Sequence, residues 1–165
     1  MRHLELDAVI HDATADAVYD GITRFDRYAE FAPHVRSAEV LIAWPEPVGE
    51  SHWELNFRSG LLRWTEREQF ARERLEIAFA QVDGDFESFS GLWTLRQDGG
   101  DVRLHFEADF DFGIPSMEGI LDPIAERVIK ETVAWTVVGL FPGALVADPA
   151  DQPDPAAAAA ITAGA

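Results

Sequence analysis

Period-two alternation dominates the middle of the chain. Between Asp101 and Phe112 the apolar residues Val102, Leu104, Phe106, Ala108, Phe110 and Phe112 alternate with Arg103, His105, Glu107, Asp109 and Asp111. In an extended chain this puts apolar and polar side chains on opposite faces, so it predicts a long, half-buried antiparallel strand. Three segments carry the glycines that tight hairpins require: Asp98-Gly99-Gly100-Asp101 just before it, then Asp83-Gly84-Asp85 and Arg58-Ser59-Gly60 further back. Counting back between these turns gives strands near 86–97, 74–82, 61–70, 50–57 and 37–44. Six consecutive strands joined by short turns make a meander.

Helical periodicity flanks the meander on both sides. A short apolar strand at the start leads to Thr14, an N-cap residue, with Asp16 and Ala17 in the first turn and Val18 and Ile22 one turn apart. Tyr28 to Phe31 forms a shorter second piece, which Pro33 ends. Near the other end, Asp122-Pro123 reads as a helix start, a capping carboxylate followed by proline at the first helical position. From there Ile124, Ala125, Val128, Ile129, Thr132, Trp135 and Val138 give a wide apolar stripe up to Pro142, opposite Glu126, Arg127, Lys130 and Glu131. Such a stripe must lie on the apolar face of the sheet. The ordered domain is expected to span residues 1–141, and 142–165, rich in Ala, Pro and Asp and free of aromatic residues, is expected to be a disordered tail.

Composition narrows the functions open to this α+β domain. The 165 residues suit one domain with a real core. Thirteen Lys and Arg against 30 Asp and Glu give a formal charge of −17, which repels phosphate backbones and anionic headgroups and argues against a nucleic-acid partner. The absence of Cys removes disulfides, thiolate catalysis and Cys-ligated metals. MRHLELDAVI has no basic segment followed by a long apolar run, and no apolar run approaches the roughly 20 residues that cross a bilayer. The expectation is a soluble cytoplasmic protein without stable membrane insertion.

The order β-α-α-β-β-β-β-β-β-α, with YAEFAPHVRSAEVL at 28–41 and the strand GLWTL at 91–95, resembles the SRPBCC or START-like superfamily, in particular its polyketide cyclase/dehydrase and coenzyme-Q-binding branch. The resemblance covers Leu4 to about Phe141. It implies a helix-grip fold, a curved antiparallel sheet wrapped around a long C-terminal helix with an apolar cavity between them. It also implies a hydrophobic small-molecule ligand such as a polyketide chain, a lipid or a quinone, handled without a cofactor, and it allows a homodimer. Two functions follow: a cyclase or dehydratase acting on a polyketide-type intermediate, or a non-catalytic carrier of a hydrophobic metabolite. The ribosome-associated toxin group of the same superfamily fits poorly, because an acidic surface opposes RNA contact.

Strand parity then assigns the side chains that face such a cavity. From 61 to 70 one face carries Leu62, Trp64, Glu66, Glu68 and Phe70, and the aromatic set is expected to point inward. Phe89, Gly91, Trp93 and Leu95 follow the same rule on the later strand. The expected cavity residues are Tyr28, Trp53, Trp64, Phe79, Trp93, Phe106, Phe110 and Trp135, helped by Leu55, Phe57 and Ile77. Glu66 and Glu68 come out on the same inward face, about 7 Å apart along the strand. Desolvation and mutual repulsion both penalise their ionisation, so one can serve as an acid while the other is a base, the pairing that aldol closure and dehydration need.

Other candidates weigh less. His34, at the helix-to-strand junction, is a third catalytic candidate because an imidazole titrates near neutral pH. Polyketide aromatase/cyclases are similar to one another in placing an arginine deep in the cavity on the tryptophan-bearing strand. Here Glu66 and Glu68 hold those places, while Arg63 and Arg67 have the opposite parity. The remaining histidines, His3, His11, His52 and His105, show no helical metal spacing, and Glu107, Asp109 and Asp111 read as a solvated outer face, so no metal site is expected.

Overall fold

The structure, a computed structural model, describes residues 1–153. A single eight-stranded antiparallel sheet wraps one side of a long helix. The first strand, β1 (Arg2–Ile10), is followed by helix α1 (Ala15–Ile22), a single helical turn at Phe25–Arg27 and the short helix α2 (Tyr28–Phe31). The meander is β2 (Val35–Ile42), β3 (Val48–Phe57), β4 (Gly60–Ala71), β5 (Glu76–Gly84), β6 (Ser88–Asp98) and β7 (Asp101–Asp111). Helix α3 (Glu118–Leu140) and a two-residue strand β8 (Leu145–Val146) complete the described chain. The spatial order is β2-β3-β4-β5-β6-β7-β1-β8. This is the expected helix-grip arrangement.

Local chemistry accounts for the helix ends near the sheet's opening. Thr14 Oγ1 accepts from the Ala17 amide at 3.2 Å, satisfying one of the first-turn donors of α1. Ala15, Val18, Tyr19 and Ile22 are the buried stripe of α1. Ala32, which precedes Pro33, takes an extended backbone at φ −102° and ψ 109°, and α2 ends there.

Three expectations are corrected. Helix α3 begins at Glu118, four residues before the predicted Asp122 cap, because a helical turn at Pro115–Met117 runs straight into it. Pro123 therefore lies inside the helix, where its missing N–H leaves the Gly119 carbonyl without its helical partner, and Asp122 is a buried helix residue instead of a cap. Gly84 is still in β5, opposite Trp64, so that hairpin turns later, at 85–87. A Cβ at Gly84 would stand 2.6 Å from Trp64 Cα, a close approach that only glycine allows. The third correction concerns the segment expected to be a disordered tail. Its first part is built into the fold: Leu145 and Val146 pair with Val9 and Ala8, and Ala144 and Val146 are buried. The remainder of that expectation, from 154 onward, lies outside the described residues.

The core fills the space between the concave face and α3. From β1 it takes Leu4, Leu6, Ala8 and Ile10, from β7 Val102, Leu104, Phe106, Ala108 and Phe110, and from α3 Ala125, Val128, Ile129, Val133, Ala134 and Val137. No helix among the described residues is long and apolar enough to cross a membrane.

Candidate functional site

An aromatic cavity of about 50 Å³ lies between the sheet and α3. Trp53 and Leu55 enter from β3, Trp64 and Glu66 from β4, and Phe79 from β5. Phe89 and Trp93 come from β6, Phe106 from β7, and Ile129, Thr132 and Val133 from α3. Phe25 and Tyr28 close it on the side of α1 and α2. The rings hold one another in place: the Trp53 and Trp64 planes lie 5° apart at a centroid distance of 5.9 Å, and Trp93 meets Phe106 edge-on at 4.7 Å. The volume is well below the roughly 300–1,000 Å³ of small-molecule pockets, so a ligand of one ring or more must displace lining side chains.

The parity argument for β4 holds at every position. Leu62, Trp64, Glu66, Glu68 and Phe70 are buried, and the intervening residues are more exposed. A β-bulge falls at Glu66: Thr65 pairs with Asp83 but Glu66 pairs with Gln81, leaving Val82 as the extra residue of β5.

Glu66 is 5% exposed and Glu68 is fully buried. The Trp64 indole N–H donates to Glu66 Oε1 at 2.9 Å. The Trp53 indole N–H donates to Ser51 Oγ at 2.7 Å, and Ser51 Oγ donates in turn to Glu68 Oε2 at 2.8 Å. Burial above all, then the charge of Glu68 and a hydrogen bond to it, pushes the Glu66 carboxyl well above the usual carboxylate range, against the opposing Trp64 bond. Burial raises Glu68 too, while hydrogen bonds from Glu66 and Ser51 hold it down. The pair therefore titrates as a unit, and burial and mutual repulsion both oppose ionising its two carboxyls together. Among the described residues no arginine pairs with it: Arg63 and Arg67 reach Glu54 and Glu50 at 3.3 and 3.6 Å.

Not all expected residues converge on this place. Tyr28, Trp53, Trp64, Phe79, Trp93, Phe106 and Glu66 line the cavity, whereas Glu68, two residues further along β4, does not. Phe110 shares the parity of Phe106 but packs farther along β7 against Phe86 and Phe112, closed off from the cavity. Trp135 lies two residues beyond Val133, about 200° around α3, and is off the lining face. His34 does not line the cavity either; its Nε2 meets Glu131 Oε2 at 2.7 Å, tying the α2–β2 junction to α3. Sequence reasoning missed Phe25 and Val133, and it gave Ile129 and Thr132 only as part of the α3 stripe that faces the sheet. Val133 follows Ile129 by one helical turn, a spacing that could have found it, and Phe25 precedes Tyr28 by three residues in FDRYAEF.

The family described as polyketide cyclase/dehydrase and lipid transport matches residues 11–135. No curated protein sequence matches the chain. Among solved structures, a protein from Thermus thermophilus is 23% identical at a TM-score of 0.74, covering 85% of this chain and 94% of its own. The Zhui aromatase/cyclase from Streptomyces sp. R1128 is 20% identical at 0.72, with 84% and 92% covered. A START superfamily protein from Mycobacterium smegmatis is 13% identical at 0.67, with 84% and 96% covered. At these identities the likeness is one of fold.

Proposed function

Because the chain belongs to the polyketide cyclase/dehydrase and lipid transport family, we propose that it binds a hydrophobic, polyketide-type small molecule in the aromatic cavity and catalyses its aldol cyclisation or dehydration with the Glu66–Glu68 pair. The observation that carries this reading is a buried pair of carboxyls with no cationic side chain paired to it among the described residues, one of them on the cavity wall. A buried acid that keeps its proton can give it up at neutral pH.

Glu66 is the group that meets the substrate. In dehydration of a β-hydroxy ketone, Glu66 passes its proton to the departing hydroxyl, the carbon–oxygen bond breaks and water leaves. The resulting carboxylate takes the α-proton, the double bond forms and Glu66 is protonated again. In aldol closure Glu66 gives its proton to the carbonyl oxygen under attack as the carbon–carbon bond forms, and the carboxylate so produced takes the proton that the nucleophilic carbon gives up, while the aromatic walls fold the chain into reactive proximity. Glu68 acts through Glu66, as the buried anion that sets its proton affinity.

A β-hydroxy aryl ketone tests this, since its dehydration gives a conjugated enone that absorbs in the near ultraviolet. The protein is expected to accelerate enone formation and Glu66→Gln to abolish the acceleration. Equal rates for the two proteins would overturn the reading.

One observation favours carriage without chemistry. Apart from Glu66, the polar lining groups are already engaged within the protein: the Tyr28 hydroxyl donates to the Ile22 carbonyl at 2.6 Å and the Thr132 hydroxyl to the Val128 carbonyl at 2.7 Å. Displacement of a hydrophobic fluorophore by acyl lipid or quinone, unchanged in Glu66→Gln and without enone formation, would select the carrier.

A further inference from the structure

The outer face of the sheet carries a second constellation, outside the cavity. β1 and β7 run antiparallel with His3 opposite Asp109, Glu5 opposite Glu107, and Asp7 opposite His105. A central pair of glutamates is thus flanked on each side by a histidine–aspartate pair, with the two histidines on different strands. Carboxylates directly opposed on neighbouring strands repel each other, so the centre of this ladder calls for a cation.

The imidazoles are oriented toward that centre. His3 Nδ1 lies 2.8 Å from Asp109 Oδ1, and His105 Nδ1 lies 2.7 Å from Asp7 Oδ1. In a neutral ring an Nδ1–H held by a carboxylate leaves Nε2 to a metal ion, which is how carboxylates orient metal-binding histidines; in the protonated ring Nε2–H donates to a glutamate instead, as His105 can to Glu107, and an ion would take that proton's place. Both Nε2 atoms face the glutamates. His3 Nε2 is 3.4 Å from Glu5 Oε1, and His105 Nε2 is 3.7 Å from the same oxygen and 3.2 Å from Glu107 Oε2. The donor atoms of His3, Glu5 and Glu107 all lie within 4.8 Å of one another, and His105, outside that group, reaches it through Glu5 and Glu107. With bonds of about 2.0–2.2 Å, donors around a tetrahedral zinc ion stand about 3.4 Å apart.

We propose that His3, Glu5, His105 and Glu107 bind a divalent transition-metal ion of the zinc class on the outer face of the β1–β7 pair, with Asp109 and Asp7 orienting the two imidazoles. Two imidazoles and two carboxylates suit such an ion better than calcium or magnesium, which take oxygen-only shells of six or more ligands. The chain's formal charge of −17 draws cations to the surface. An ion seated here clamps the first strand to the last strand of the meander, so its binding free energy adds to the stability of the fold.

Calorimetric titration of the whole protein with zinc chloride near neutral pH, with magnesium chloride in parallel, tests the site. The expected result is saturation near one zinc per chain with a raised thermal midpoint, and no comparable response to magnesium. His3→Asn and His105→Asn are expected each to weaken zinc binding at least about tenfold, and Asp7→Asn and Asp109→Asn to weaken it partly. His3 and His105 are 50% and 33% exposed, so these variants keep the core, which far-ultraviolet circular dichroism checks. His52→Asn, on β3, serves as the control that leaves binding unchanged. Absence of saturable zinc binding, equal binding of magnesium, or histidine variants that titrate like the unaltered protein would each overturn the site and leave a solvated ladder of ion pairs.

Discussion

Trp64 and Glu66 stand two positions apart on one face of β4, and the indole N–H of the first donates to a carboxyl oxygen of the second at 2.9 Å. The bond works against burial: it favours the ionised carboxyl that the surrounding apolar rings disfavour. Trp64→Phe keeps an aromatic wall but removes this donor, so Glu66 is expected to hold its proton to still higher pH. Carbon-13 NMR of the labelled carboxyl checks the direction.

The Glu66 proton also makes stability depend on pH with a definite sign. Its carboxyl titrates well above its ordinary value of 4.5 in the folded chain, so above 4.5 the native state binds more protons than the unfolded one. Stability contributed by the protonated form is therefore lost as pH rises from 4.5 through the raised value. Urea midpoints across this range are expected to fall with rising pH, and Glu66→Gln, which stays neutral, to flatten the decline.

Glu131 gives the opposite slope. Its hydrogen bond to His34, and next the His34 charge, hold it below the ordinary 4.5 against partial burial. Its contribution is complete above 4.5 and is lost as pH falls through the lowered value. The pair is partly exposed, so Glu131→Gln is expected to cost about 1 kcal/mol or less near neutral pH and to soften the acid limb of the same urea series.

Ser51 is fully buried and joins Trp53 to Glu68 through a single hydroxyl. Ser51→Ala leaves an indole N–H and a carboxylate oxygen without partners in the interior. The expected loss is about 1–3 kcal/mol by chemical denaturation. Ser51→Thr, which keeps the hydroxyl, is the companion variant that separates bond loss from any change of size.

Gly91 on β6 sits beneath the Phe79 ring, and a Cβ there would also stand 2.6 Å from the Glu107 carbonyl oxygen. Backbone cannot yield as a side chain can, so Gly91→Ala is expected to lose about 1–3 kcal/mol of stability. It also pushes Phe79 toward the cavity, and fluorophore binding is expected to change with the thermal midpoint.

Strand parity carried most of what the sequence revealed. It put Trp53, Trp64, Glu66, Phe79, Trp93 and Phe106 on the cavity wall, because alternation along a strand is set by local geometry. It failed where parity is only half of an address. Phe110 has the right face of β7, but its distance along the strand and the rings of Phe86 and Phe112 decide what it touches. The start of α3 was misplaced because Asp122-Pro123 has strong capping chemistry, yet the turn at Pro115–Met117 nucleates the helix upstream. Phe25 comes from a single helical turn too short for any period to show. The ladder of His3, Glu5, His105 and Glu107 was invisible because it depends on which residues of β1 and β7 face each other, about a hundred positions apart in sequence.

The pairing of Leu145 and Val146 with β1 has a meaning for life in a concentrated solution. An unpaired strand margin is a template on which a second chain can lay a strand, and from there a sheet can grow between molecules. At one end of this sheet β8 covers the margin of β1 at Ala8 and Val9, and the Ala147 amide covers it at Asp7. At the other, β2 is interrupted by register shifts between Val35 and Ser37 and between Val40 and Ile42, which bend its free side out of the flat geometry that strand addition requires. Leu41 and Ile42 are exposed there, so the bends stand where apolar residues would otherwise invite a neighbour. A substitution that straightened β2 is accordingly a route from a folded protein to an aggregating one, with the cavity untouched.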